Sequence, residues 1–407
     1  MLSTQLDSTP APTERAFWLA WSQVAGVGPV LQKRLHLQFG SLATAWQAEG
    51  DQLTQVEGIG PQTLQSIQMQ RRSLDPMRLL AQAEAKTPDF WTPADADYPR
   101  LLWEIPDPPP VLYYRGEVSQ VGLPEQWPAA VAIVGTRNPS AYGNRWARKL
   151  GQVLGEAGYL VVSGLAEGVD GEAHKGCLEA GGLTLAVLGT GVDRIYPPHH
   201  RSLYQQVLQQ GLVLSEYPLG TPPDRAHFPR RNRIVAGLCC ATLVIEAPDR
   251  SGALITAYQA NEYGREVYAL PGSLDNPKAL GCLKLLEKGA QMVLGPEQLL
   301  SALGSLPQLD RLDRQVAHQG LAKSRAIAGT TPKSSALSPS VSQAEKPLPK
   351  LEEPLQQVFN AIGSDPTPLD KVVQMSGLET GLVSGTLLQL ELMGLVTQIA
   401  GLRYQRL

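Results

Sequence analysis

The sequence predicts an α/β fold: an extended Rossmann-like domain built on a parallel sheet, with a small helical domain before it and a winged helix after it. Three observations carry this. Between residues 88 and 304, short apolar runs rich in β-branched residues alternate with helical patterns. Ahead of them, a Gly-Pro turn that opens a helix occurs twice. Behind residue 350, three helical patterns end in two short strands. A chain of 407 residues is long enough for two or three domains and a large core.

The N-terminal segment, 1–85, contains "VAGVGPVLQKRL" at 24–35 and "VEGIGPQTLQSI" at 56–67. Each reads as a helix-hairpin-helix or SAM-like unit: glycines let the backbone approach a partner closely, and the following helix offers free N–H groups to a phosphate oxygen. The same turns serve equally well as simple helix joints, and few basic residues flank the second one.

The middle segment carries six strand patterns: "VAIVG" (131–135), "YLVVSG" (159–164), "LTLAVLG" (183–189), "LVLSEY" (212–217), "TLVIEA" (242–247) and "EVYALPG" (266–272). Apolar runs of this length, separated by helices such as 141–157 and 253–263, indicate parallel strands covered on both faces. The preceding "DPPPVLYYRG" (107–116) has too much proline for a central strand and is placed at an edge or in a connection. Residues 305–350, rich in Ser, Pro, Ala and Lys, read as a flexible linker. Residues 351–407 read as the winged helix, whose recognition helix carries Glu379 and Glu391 and no Lys or Arg. That favours protein contact or regulation over reading a DNA groove.

Composition excludes several classes. No window holds the roughly 18 uninterrupted apolar residues of a membrane span, and "MLSTQLDSTPAPTERAFW" lacks the pattern of a secretory signal. The expectation is a cytoplasmic protein with no membrane partner. Cys177, Cys239, Cys240 and Cys282 form no CxxC pair, so buried free thiols are expected, with neither metal nor disulfide. The formal net charge of −3 argues against a generally basic coat but leaves room for a local basic patch.

Ligands in open α/β sheets bind beyond the carboxyl ends of the strands, so the residues after each run matter most. "GTRNPSAYG" (135–143) offers Gly135 for close approach, hydroxyls from Thr136 and Ser140, and the charged fork of Arg137, all suited to an anion. "SGLAEGVDGEAH" (163–174) turns Ser163 and Gly164 toward the same rim. Its Asp170 and His174 are spaced like a catalytic pair, yet local hydrogen bonding or capping explains them more simply. "GTGVDRIYPPHH" (189–200) lacks the full dinucleotide fingerprint, since Arg194 stands at the third glycine position, and this disfavours NAD; no cofactor is expected. In "EAPDRSGALITA" (246–257), Ser251, Gly252 and Thr256 flank a helix start and suit a phosphate, or else cap that helix.

The densest signal is "HFPRRNRIVAGL" (227–238). With Arg225 just ahead, Arg230, Arg231 and Arg233 repel one another unless an anion balances them. Phe228 among them offers a flat face to a base while the arginines track phosphates, the usual arrangement of single-strand binding. Alternatively Phe228 anchors the core and one or two arginines pair with internal carboxylates such as Glu216 or Glu246. Asn232 and Arg233 suit structural places better than Arg225 or Arg230.

Taken in order, "GTRNPSAYG", "SGLAEGVDGEAH", "GTGVDRIYPPHH", "SEYPLG", "FPRRNRIVAGL", "EAPDRSGALITA" and "LPGSL" resemble the DprA/Smf family of bacterial DNA-processing proteins. The flanking helical and winged-helix segments match it too. The resemblance implies a non-enzymatic, dimeric protein that binds single-stranded DNA and helps load RecA recombinase during natural transformation. It places DNA contacts at Arg137, Arg225 and Phe228. Two positions depart from the family pattern. Pro198 stands where a lysine is frequent, so one phosphate contact is lost or passes to His199, Arg201 or Arg225. Leu283 stands where an asparagine is usual. The competing reading is a nucleotide-processing enzyme of the lysine-decarboxylase-like phosphoribohydrolase type, using Glu246 or Asp170 as an acid. "SGALITA" lacks the glutamate that such a site needs, and a pure scaffold would leave the arginine cluster unexplained.

Overall fold

The computed structural model describes residues 12–86, 89–116, 127–304, 353–363, 367–378, 380–392, 395–399 and 403–406. The linker expected at 305–350 and Glu379 lie outside the described residues, as does the side chain of Glu391. The chain divides into two compact units, 1–328 and 329–407. Among the described residues no helix is long and apolar enough to cross a membrane.

The first unit begins with helices α1 (Pro12–Ser22), α2 (Pro29–Phe39), α3 (Leu42–Gln47), α4 (Gly50–Leu53), α5 (Pro61–Ser73) and α6 (Pro76–Lys86). The two repeats become α2 and α5, each opening with proline at its first position after an extended glycine, Gly28 or Gly60. Proline lacks an N–H that the first turn could not use anyway. Each turn is closed by the other repeat: Ser66 donates to the Ala25 carbonyl at 2.8 Å, and Arg34 donates to the Glu57 carbonyl at 2.7 Å. Trp18, Trp21, Leu35, Leu42 and Ile67 are buried between them. Lys33 ties this helical segment to the sheet. Its ammonium donates to the carbonyls of Trp103, Glu104 and Ile105 at 2.7, 3.2 and 2.8 Å, at the end of α7 (Arg100–Glu104). A cation there also meets the negative end of the helix.

The sheet has nine strands among the described residues, in the order β1-β2-β6-β5-β4-β3-β7-β8-β9. They are β1 (Phe90–Trp91), β2 (Leu112–Gly116), β3 (Ala130–Val134), β4 (Leu160–Ser163), β5 (Thr184–Val187), β6 (Gly211–Ser215), β7 (Ala241–Val244), β8 (Glu266–Ala269) and β9 (Gln291–Met292). From β6 to β9 the pairing is parallel, whereas β1 and β2 run antiparallel. The proline-rich prelude is therefore a strand one place in from the edge. Its prolines stop at Pro110, which leaves residues 112–116 with every backbone donor the ladder needs.

Alternate residues of β3 show why the apolar runs lack a polar face. Ala130, Ala132 and Val134 face one core, shared with α11 (His227–Gly237) and α12 (Gly252–Glu262). Val131 and Ile133 face the other, shared with α8 (Ala141–Glu156), α9 (Val169–Glu179) and α14 (Pro296–Gly304). Helix α10 (Arg201–Gln210) extends that second layer over β5 and β6, and α13 (Leu280–Glu287) lies between β8 and β9 in the chain. Cys177, Cys239 and Cys282 are buried, Cys240 is half-buried, and none of the four is in a disulfide.

Helices α8 and α9 cross almost backbone to backbone. A Cβ on Gly176 would overlap the Arg148 carbonyl oxygen, and one on Gly151 the carbonyl of Ala173. Gly176→Ala must push the helices apart, so it is expected to lower stability by about 3 kcal/mol, at the upper end of overpacking costs. Gly295→Ala, where a Cβ meets open space, is the neutral control. A urea midpoint for Gly176→Ala equal to the control's would disprove the close-packing argument.

The second unit holds α15 (Leu355–Ala361), β10 (Thr367–Pro368), α16 (Leu369–Ser376), α17 (Thr380–Leu392), β11 (Val396–Ile399) and β12 (Arg403–Arg406). Its antiparallel sheet runs β10-β12-β11 over a core of Val358, Val372, Val383, Leu387 and Tyr404, the architecture of a winged helix.

Candidate nucleic-acid interface

From β3 the chain winds outward to β4, β5 and β6, then returns to β7 on the other side of β3. The switch point of the sheet thus lies beyond the carboxyl ends of β3 and β7, where ligands of such folds gather. The loop 135–140 leaves β3 there. Its Thr136 N–H donates to the Glu246 carbonyl at 2.7 Å, and its Thr136 carbonyl accepts from the Val169 N–H at 3.2 Å. Gly135 is required by the close approach, since a Cβ would come within 2.9 Å of the Glu246 carbonyl oxygen and closer still to Val169.

Arg137 projects from this loop into solvent. Its guanidinium lies 5.1 Å from the centroid of the Phe228 ring, a cation–π contact that orients the fork without consuming its donors. Phe228, on the first turn of α11, is half-buried against Gly189 at the end of β5, where any side chain would touch its ring. Tyr196 completes the group. Its ring centroid is 5.4 Å from that of Phe228, with the planes tilted by 37°, and the residue is 36% exposed. Arg137, Tyr196 and Phe228 line a recess of about 60 Å³ with Gly164, Ala166, Glu167 and Pro197.

The structure sorts the arginine cluster by helix phase. Arg225 and Arg230 are exposed, and among the described residues neither Arg137 nor Arg225 has a carboxylate within 4.0 Å. Arg230 sits 3.8 Å from Glu216. Arg231 and Arg233 point inward at 4% and 2% exposure. Arg233 pairs with Glu216 at 2.5 Å and Asp107 at 3.1 Å, and burial is the main influence on both carboxylates, pushing their pKa values up. Arg231, expected at the surface, instead lies beneath Gly164. It donates to the carbonyls of Gly164, at 2.8 Å, and Val187, and burial lowers its pKa to about 10. Asn232 donates to the Gly252 carbonyl at 3.1 Å and joins α11 to α12.

Other residues expected at the rim are engaged inside the fold. Ser163 is fully buried and donates to the Ile133 carbonyl at 2.6 Å; Gly164 is buried over Arg231; Thr256 is 2% exposed between α12 and the sheet. Ser140 caps α8, accepting from the Gly143 N–H at 3.1 Å, while its own N–H and hydroxyl donate to the Glu246 carboxylate at 2.7 and 2.6 Å. Ser251 caps α12 and Gly252 follows it, exposed. Parallel strands end in a packed shell here, so their terminal polar groups satisfy one another before any ligand does.

Asp170 and His174 do not form a pair. Asp170 accepts from the backbone N–H groups of Gly164 and Ala166 at 3.1 and 3.4 Å. His174 is bonded to the Thr184 hydroxyl at 2.7 Å, and burial drives its pKa down to about 3, so the ring is neutral. Among the described residues no arginine lies within 4.0 Å of Glu246, whereas Arg230 and Arg233 both approach Glu216. His199, one of the groups offered in place of a lysine at Pro198, faces Glu167 at 3.4 Å, and Arg201 is exposed at the start of α10. Leu283 is half-buried on α13.

Tyr196 is not among the residues that the sequence singles out. It follows β5 by nine residues, and "RIYPPHH" drew attention to its prolines and histidines. The available signal was a large aromatic in a strand-end loop.

Residues 89–304 match the family model described as DNA recombination-mediator protein A, and residues 342–401 match the DprA winged helix domain. Protein Smf of Synechocystis is 48% identical over 97% of this chain and 100% of its own length. The DNA processing protein DprA of Bacillus subtilis is 41% identical over 51% of this chain and 68% of its own. The X-ray structure of DNA processing protein A from Streptococcus pneumoniae superposes with a TM-score of 0.60 at 34% identity, covering 70% of this chain and 95% of that one. On the strength of the sheet, the ordered strand-end motifs and these matches, the chain belongs to the DprA/Smf family of DNA recombination mediators.

Proposed function

We propose that this protein binds single-stranded DNA without chemical turnover, protects it during DNA uptake and recombination, and passes it to RecA recombinase, acting as a cytoplasmic homodimer. The observation that carries the reading is the exposed guanidinium of Arg137 held over Phe228 beside the open ring of Tyr196. A phosphate needs a charged fork and an unpaired base needs a flat apolar face, and here the two are about one nucleotide step apart. The recess beneath is too small to take a base, so a base lies against the rings, which permits any sequence. Arg225 and Arg230 extend the positive path, and a duplex, whose faces are hidden by stacking, fits it less well. The winged helix at 351–407 serves protein contact or regulation.

The relatives' names agree with a DNA-processing role. The competing enzyme reading finds its acids committed: Asp170 caps a loop and Glu246 binds Ser140. The test is fluorescence titration of a labelled single strand and its duplex with Phe228→Ala and Tyr196→Ala. Loss of a stacking ring costs about 1–3 kcal/mol per base, so single-strand affinity should fall roughly five- to a hundredfold while duplex affinity barely moves. Equal affinity for both forms, unaffected by either variant, would refute the reading.

A further inference from the structure

At the switch point, the N-terminus of α8 is where a doubly wound fold would receive a ligand's phosphate. In this chain the place is taken by a side chain from within. Glu246 follows β7 and is 2% exposed. One carboxylate oxygen accepts from the Ser140 N–H at 2.7 Å. The other accepts from the Ser140 hydroxyl at 2.6 Å and from the Asn276 amide at 2.8 Å. The orientation of that amide is settled by its oxygen, which accepts from the Lys278 N–H at 3.0 Å. Gly143 leaves the space: a Cβ there would lie 2.5 Å from the carboxylate. The carboxylate thus joins three stretches of chain: the loop that carries Arg137, the end of β7 and the loop after β8.

Resting on the single-strand reading above, we infer that Glu246 is a positioning residue, an internal anion that fixes loop 135–140 so that Arg137 meets Phe228 and the phosphate together. The loop's far side is held by α9, where Gly168 packs so closely against Thr136, Arg137 and Pro139 that a Cβ would come within 2.7 Å of each. With both sides gripped, Arg137 is presented in one orientation before DNA arrives, which cuts the ordering cost of binding. Only a carboxylate satisfies the arrangement. Three donors converge on it, and a glutamine in its place has one acceptor oxygen; its amide then opposes either the Ser140 N–H or the Asn276 amide.

The experiment is a set of double-mutant cycles read by anisotropy of a fluorescent oligothymidylate, with melting temperatures alongside. Glu246→Gln should weaken binding about tenfold in the wild-type chain and equally in the Arg225→Ala background, yet add nothing in the Arg137→Ala background. A general loss of structure would act in all three backgrounds, so the selectivity for Arg137 is the signature. Ser140→Ala, which removes one donor and leaves the carboxylate in place, should show the same pattern at smaller size. Equal weakening in all three backgrounds, or none in the wild-type chain, overturns the inference while leaving single-strand binding standing. Failure of the wild-type chain to bind the strand at all removes both.

Discussion

Replacing Arg231 with alanine is expected to destabilise the protein by about 3–5 kcal/mol, the usual consequence of removing one member of a buried charge arrangement. Arg231 is 4% exposed; it holds the Gly164 and Val187 carbonyls and is the chief charge that lowers the pKa of buried Asp170 against the upward push of desolvation. Without it, buried Asp170 keeps its two backbone hydrogen bonds but loses its chief balancing charge, and two strand-end carbonyls lose their donor. Arg231→Lys retains the charge but ends short of the position of Nη1, the one nitrogen that reaches both carbonyls, so it should recover only part of the loss. Urea unfolding measures this. A midpoint unchanged in Arg231→Ala, together with weakened DNA binding by the folded protein, would move Arg231 back to the surface role that the sequence had offered it.

The second large effect belongs to Arg137 and Arg225. Each exposed arginine donates charged hydrogen bonds worth about 1.5–3 kcal/mol to a phosphate, so Arg137→Ala and Arg225→Ala should each reduce single-strand affinity by roughly ten- to a hundredfold. Because every neutralised phosphate releases counterions, the slope of log K against log salt should become shallower by about 0.7 per arginine removed. Both side chains are exposed, so melting temperatures should stay within a degree or two of the wild type. A weaker affinity with an unchanged salt slope would show that these residues act other than through phosphate.

Much of the fold was legible because its signals are local. The six apolar runs became β3 to β8, the glycine-proline turns opened α2 and α5, and Ser140 and Ser251 stand where hydroxyls start helices. The two-residue strands β1 and β9 left no periodic trace, and β2 was obscured by the prolines ahead of it. Within the site, residue type was readable and direction was not. Arg230 and Arg231 are neighbours in sequence, yet the roughly 100° of helix phase between them sends the first to solvent and the second under the sheet end.

By itself, then, the sequence determined the layered α/β plan, the winged helix and the presence of a basic, aromatic segment at a strand end, since these depend on spacing and side-chain type. Tertiary structure alone decided which arginines remain available, that Tyr196 stands beside Phe228, and that Glu246 reaches Ser140 across 106 positions of chain. The physical reason is the same in each case. Burial, hydrogen-bond partnership and ring contact are properties of what packs above a residue, and in a parallel sheet those neighbours come from strands and helices far away in the chain.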